Sequence, residues 1–154
     1  MRRRLARVGL VVLFLLVAFV QGVQAQEDRA LVLVADSESG LDHLSPRQLR
    51  RVFLGLPVEV RGQPVRALLN TSDPLLNRVF LQKVVFMSQR RYARQLLSLT
   101  FRTGRRRPQA FRDQDQMVRT LHSSVGAIAV MWKRDAARDG SLKIMQTLWR
   151  GRLP

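Results

Sequence analysis

The sequence predicts a single α/β domain in which a mixed sheet is flanked by helices. Three observations lead there. Stretches rich in β-branched and apolar residues alternate with stretches whose apolar residues recur every three to four positions, which is the pattern of strands and helices taken in turn. The apolar fraction, 46%, is that of a globular protein rather than a disordered one. Beyond residue 25 the chain has the length of one domain with one core, with no internal repeat, low-complexity tract or linker.

Ala30–Ala35 (A-L-V-L-V-A) reads as a buried strand, and Asp36–Asp42 as a polar loop. A helix over 46–54 follows. Ser45 caps it, Pro46 takes the first position where a missing N–H is harmless, and Leu49, Val52 and Phe53 share one face before Gly55 stops it. Val58–Gln63 is a connector punctuated by Gly62 and Pro64, and Val65–Leu69 is a second strand. Asn70–Pro74 forms a helix start with Ser72 or Asp73 as cap. From there Leu75, Leu76, Val79, Phe80, Val84 and Val85 recur at helical spacing.

Ser88 caps a further helix through about Leu99, with Tyr92, Leu96 and Leu99 inward. Phe101–Pro108 reads as a loop. Asp113–His122 is helical with Met117, Val118 and Leu121 inward, and 126–131 and 142–145 are the last strands. Trp132, just after a buried strand, reads as a packing residue. Trp149 opens a short basic C-terminal tail.

The first 25 residues have the three-part form of a secretory signal. Arg2, Arg3, Arg4 and Arg7 precede an apolar run from Val8 to Val20, and Val23-Gln24-Ala25 offers a small-residue cleavage site after Ala25. As a helix that run rises only about 20 Å, short of a roughly 30 Å hydrocarbon core, so cleavage is expected rather than anchoring. No cysteine lies near the cut, which excludes a lipid-anchored lipoprotein. The expected product, residues 26–154, works in the periplasm. Four of the 27 basic residues leave with the leader and all 11 acidic ones stay, so the mature chain remains strongly basic. With no cysteines it has neither disulfides nor thiol redox chemistry.

Three markers in order carry a resemblance. They are Leu44–Gly55 (L-S-P-R-Q-L-R-R-V-F-L-G), Arg78-Val79-Phe80-Leu81 in the following helix, and Gly126-Ala127-Ile128 at a late strand. Together, over roughly residues 31–131, they resemble one lobe of the periplasmic phosphate ABC transporter substrate-binding proteins. The resemblance implies a periplasmic-binding-protein-like lobe that binds phosphate or another oxyanion without catalysis, in association with a membrane transporter or sensor protein. Full members clamp the anion between two lobes, and this chain is long enough for one. A second copy could supply the other wall.

Family members hold phosphate on a Ser-Gly-Thr turn at a helix N-terminus, where free backbone N–H groups and the helix dipole favour an anion. Registered on Phe80, those positions fall on Pro74, Leu75 and Leu76, and the family's upstream arginine on Asn70. Pro74 has no N–H and the leucines have no donor, so the family's own cradle is not expected. A shifted register leaves Asn70, Thr71, Ser72 and Arg78 as candidate ligand-binding residues. The competing reading is that Thr71 and Ser72 simply cap the helix, with Asp73 disputing the same N–H groups.

The densest charge is the basic patch Arg102, Arg105, Arg106 and Arg107, suited to phosphates, an acidic protein face or anionic head groups, or else a plain solvated loop. Nucleic acid is not an expected partner of an exported protein. Catalytic signals are thin. His43 and His122 have no metal-ligand spacing, there is no nucleophile elbow or phosphate-cradling glycine loop, and Asp113 and Asp115 suit a helix dipole. No enzyme, metal or cofactor is expected. The alternative to anion binding is a cell-envelope interaction module that kept the fold, lost the pocket and uses its basic face.

Overall fold

Six consecutive buried residues, Ala30–Ala35, put strand β1 (Arg29–Asp36) at the heart of the protein, between two sheet neighbours and two helical layers. The computed structural model describes residues 29–151. The expected leader with its cleavage point at Ala25, and residues 152–154 of the tail, lie outside them.

The sheet is mixed. Strands β4 (Arg66–Asn70), β5 (Gln109–Phe111), β6 (Ala127–Trp132) and β7 (Leu142–Gly151) join β1 in the order β5-β4-β6-β1-β7. β4 runs parallel to β5 and β6, whereas β1 is antiparallel to β6 and β7. A separate hairpin, β2 (Glu59–Val60) and β3 (Gln63–Pro64), sits ahead of β4.

The two-residue period of a strand sorts the apolar residues to two faces. On one, Leu31, Leu33, Ile128, Val130 and Trp132 pack against helices α1 (Pro46–Phe53) and α2 (Pro74–Phe80), a π-helical turn (Leu81–Val85) and α3 (Gln89–Thr103). On the other, Val32, Val34, Ala129 and Met131 meet Met117 and Leu121 of α4 (Gln114–Ser123) and Ala136 of α5 (Lys133–Arg138). Each buried Val, Leu, Ile or Met among them contributes about 1.5–3 kcal/mol, so both layers are needed to hold the central strands.

An aromatic row fixes the first layer. Phe53 and Phe80 meet edge-on at 4.8 Å, and Phe80 and Tyr92 at 6.4 Å. The Tyr92 hydroxyl donates a 2.5 Å hydrogen bond to the Phe53 carbonyl, an acceptor that the end of α1 leaves open, and burial pushes the phenol pKa up. Long α3 is thereby tied to α1 through its buried Tyr92 and Leu96.

Several expectations change. The 58–63 connector is a hairpin whose turn residues Arg61 and Gly62 both have positive φ (52° and 78°), the geometry of a tight two-residue turn. The helix from Leu75 is broken into α2 and the π turn. The helix from Ser88 runs past Leu99 to Thr103, because Gly104 at φ 66° supplies the left-handed stop, so Arg102 is helical and the basic loop is only Gly104–Pro108. Leu99 and Val118 are half-buried rather than core. The last strand continues from Leu142 to Gly151, so the tail from Trp149 is, as far as residue 151, a sheet edge paired with β1. Trp132 is buried as expected, while β5 and α5 had no clear sequence signal. Among the described residues no helix is long and apolar enough to cross a membrane.

Candidate functional site

The start of α2 is where the resemblance would place an anion, and its donors are already taken. Asp73, in extended conformation, is the N-cap. Its Oδ1 accepts from the Leu75 and Leu76 N–H groups at 2.7 and 3.2 Å. Its Oδ2 accepts from the Trp132 indole N–H at 2.7 Å. Burial alone would raise the Asp73 pKa, but the bonds from Trp132, Leu76 and Leu75 and the charge of Arg29 outweigh it and hold the carboxyl below its ordinary range. Arg29 itself lies over the Trp132 ring, 5.9 Å from its centroid. A fixed negative charge thus stands where an anion would bind.

The candidate residues beside it face inward on the chain. Asn70 is buried; its Nδ2 donates to the Val130 carbonyl at 3.2 Å, and its Oδ1 accepts from the Ser72 N–H at 3.1 Å and the Ser72 hydroxyl at 2.6 Å. The Thr71 hydroxyl and N–H both donate to the Phe111 carbonyl at 2.8 Å. Asn70, Thr71 and Ser72 are therefore brought together as a self-bonded turn that joins β4, β5 and β6 to α2. Arg78 is exposed further along α2 and makes no hydrogen bond to them. The void under this turn, lined by Asn70, Asn77, Phe80 and Val130 among others, is about 10 Å³, room for one water at most and not for a phosphate.

The arginines lie elsewhere and outward. Arg105, Arg106 and Arg107 are exposed on the loop after α3, and Arg102 is exposed on its last turn. The loop folds back on the end of α1. A Cβ built on Gly55, at φ 76°, would sit 3.4 Å from the Pro108 ring and 3.6 Å from the Arg106 carbonyl. The helix α1 adds Arg47, Arg50 and Arg51, all exposed, to that side of the protein. Among the described residues, none of the seven has a carboxylate within ion-pair distance.

A third cluster has no spacing that sequence reasoning could find. The end of β1, the end of α4 and the turn before β7 bring together Asp36, His122, Asp139 and Ser141. His122 Nδ1 meets the Asp36 carboxylate, and Nε2 lies 2.9 Å from the Ser141 hydroxyl. This has the outline of a nucleophilic triad, but the hydroxyl proton goes to Asp139. With its hydroxyl donating to Asp139, Ser141 does not direct that proton at His122 Nε2, the bond a serine nucleophile requires. The Ser141 N–H is also engaged by Asp139, at 3.0 Å. The cluster is a charge clamp between strand ends, and among the described residues no group of three or more side chains is gathered to hold a metal.

Comparison with protein-family models gives no match, and comparison with curated protein sequences gives no significant relative.

Proposed function

We propose that this chain is an exported, non-enzymatic binding domain of the periplasm that engages an acidic protein partner through its basic face. The leader supports export, and the ordered markers support descent from a one-lobe relative of the phosphate receptors. A membrane transporter or sensor protein remains the natural kind of partner. The observation that carries the choice between small anion and protein is the Asp73 carboxylate. It occupies both helix N–H donors and the indole donor at the only turn where the family resemblance would seat phosphate. Seven exposed arginines have no carboxylate partner among the described residues, and charge of one sign spread over a face selects and steers an oppositely charged macromolecule.

The test is calorimetric titration of the purified protein with phosphate, with sulfate and with polyglutamate, at low and physiological salt. Saturable, salt-sensitive binding of polyglutamate with no phosphate-specific heat is expected. One-site phosphate binding that survives physiological salt and excludes sulfate would return the protein to the solute receptors.

A further inference from the structure

We propose that the groove between α1 and α3 is a docking site for an acidic segment of a partner protein. The segment's carboxylates would meet Arg47, Arg50, Arg51 and Arg91, and an apolar side chain would meet Phe86. This rests on the basic-face reading and gives it a site and a ligand class.

The groove holds about 570 Å³, within the range of specific binding clefts, and the side chains of Leu54 and Met87 contribute apolar surface to it. Its charge is all of one sign. Arg47, Arg50 and Arg51 come from α1 and Arg91 from α3, and no Asp or Glu lines it. Neither helix has an acidic residue in its first turn, and Arg47 and Arg91 occupy those turns instead. Cations in a first helical turn oppose the dipole, so at Arg47 and Arg91 a carboxylate is the complementary charge, while Arg50 and Arg51 stand in the last turn of α1.

Phe86 is the second, independent observation. It ends the π turn in the left-handed region (φ 58°, ψ 44°) with 66% of its surface exposed. A bulky residue is disfavoured in that region, and a large exposed aromatic gains nothing from the core. Glycine would serve the turn better. Strain of this kind marks a side chain placed for contact. The ring lines the same groove as the guanidiniums, and aromatic residues and arginine are both enriched at protein interfaces.

The geometry favours a protein segment over other anions. Arg47 stands three and four positions before Arg50 and Arg51 on α1, with Cβ atoms about 5–6 Å away, so several guanidinium forks on one groove wall can each take a carboxylate of the same peptide. A single phosphate would reach only part of the set. A lipid surface is met by protruding side chains, whereas these arginines line a concavity with an apolar floor.

The probe is a dye-labelled peptide of Glu and Asp around one central Phe, read by fluorescence anisotropy on the purified protein at low and physiological salt. A peptide with Ala in place of Phe and vesicles of phosphatidylglycerol with phosphatidylcholine serve as comparisons. Joint reversal by Arg47→Glu and Arg50→Glu is expected to weaken the Phe peptide at least ~10-fold. Phe86→Gly is expected to abolish the preference for Phe over Ala while raising Tm, a combination that a purely structural role for the ring does not produce. Reversal in the loop (Arg105→Glu with Arg106→Glu) is expected to matter less than ~3-fold. If the loop pair carries the loss and the groove pair does not, the groove proposal fails and the basic-face reading stands. If the wild-type protein binds neither peptide at low salt, both fail. Tighter binding to the vesicles than to the Phe peptide, lost on groove reversal, overturns the peptide in favour of a lipid surface.

Discussion

Asp73 and Trp132, 59 residues apart, are joined by a 2.7 Å hydrogen bond from the indole N–H to Oδ2. The same carboxylate caps α2 through Oδ1, so one side chain fixes a helix to the last residue of β6. Asp73→Ala removes the cap and leaves a buried indole donor unpaired, an expected loss of about 2–4 kcal/mol. Asp73→Asn keeps one oxygen for the Leu75 and Leu76 N–H groups but sets an amide donor against the Trp132 indole, and is expected to lose about half as much. Equilibrium denaturation reads both. Equal, small losses would mean that the carboxylate is incidental to the fold.

Acid should weaken this protein through a small set of carboxyls. Asp36 is held below the ordinary range by its bond from His122 first and by the Glu38 N–H next, against slight desolvation. Asp139 is lowered mainly by Ser141, and Asp73 is lowered net of burial. Each carboxyl therefore binds its proton more readily in the unfolded chain, where carboxyls titrate near about 3.9. Stability is then fully present above about pH 5 and is lost as pH falls through the lowered folded values. His122→Ala removes the largest cause at Asp36 and is expected to flatten the fall. Denaturation midpoints measured from pH 6 downward would show it, and an unchanged slope would remove His122 from the account.

The sheet core was legible because Ala30–Ala35 and Ala127–Trp132 are short unbroken apolar runs, the pattern of strands buried on both faces. The caps at Ser45 and Ser88 were legible because their side chains act within three residues. Whether Ser72 or Asp73 caps α2 was not, since that choice depends on Trp132, which only the fold brings near. The length of the last strand was hidden for the same reason. Half-buried Met145, Leu148 and Trp149 gain their place from pairing with β1, not from their own pattern. Of the arginines, the loop stood out as a run. The groove set did not, because residues 47–51 and 91 meet only when Tyr92 pins α3 onto α1.

Gly126, in the last of the three sequence markers, has a physical reason to be glycine. Its φ is 75°, and a Cβ there would run into the Pro64 carbonyl oxygen of the hairpin. Its own carbonyl accepts from the Arg66 N–H at 2.9 Å, beginning the parallel pairing of β4 with β6. Gly126→Ala therefore combines left-handed strain with a backbone clash, an expected loss of about 2–5 kcal/mol. Gly62 has nearly the same φ, 78°, but open space around it, so Gly62→Ala should lose only about 1–2 kcal/mol. Denaturant midpoints of the two variants separate strain from clash; equal losses would show that the hairpin yields at no cost.

The cluster of Asp36, His122 and Ser141 sets the sharpest test of a non-enzymatic reading. A serine nucleophile needs a ring nitrogen that accepts its proton, and here the Ser141 hydroxyl donates its hydrogen bond to Asp139 instead. Hydrolysis of an activated ester by the wild-type protein is accordingly expected to match that by Ser141→Ala. Asp139→Ala discriminates further, because it removes the competing acceptor from the Ser141 hydroxyl, which lies 2.9 Å from His122 Nε2. If the clamp is only structural, that variant stays at background and loses some stability. A Ser141-dependent burst of product, in the wild-type protein or in Asp139→Ala, would show that Nε2 accepts the proton after all, and the binding-domain reading would have to share the molecule with a hydrolytic one.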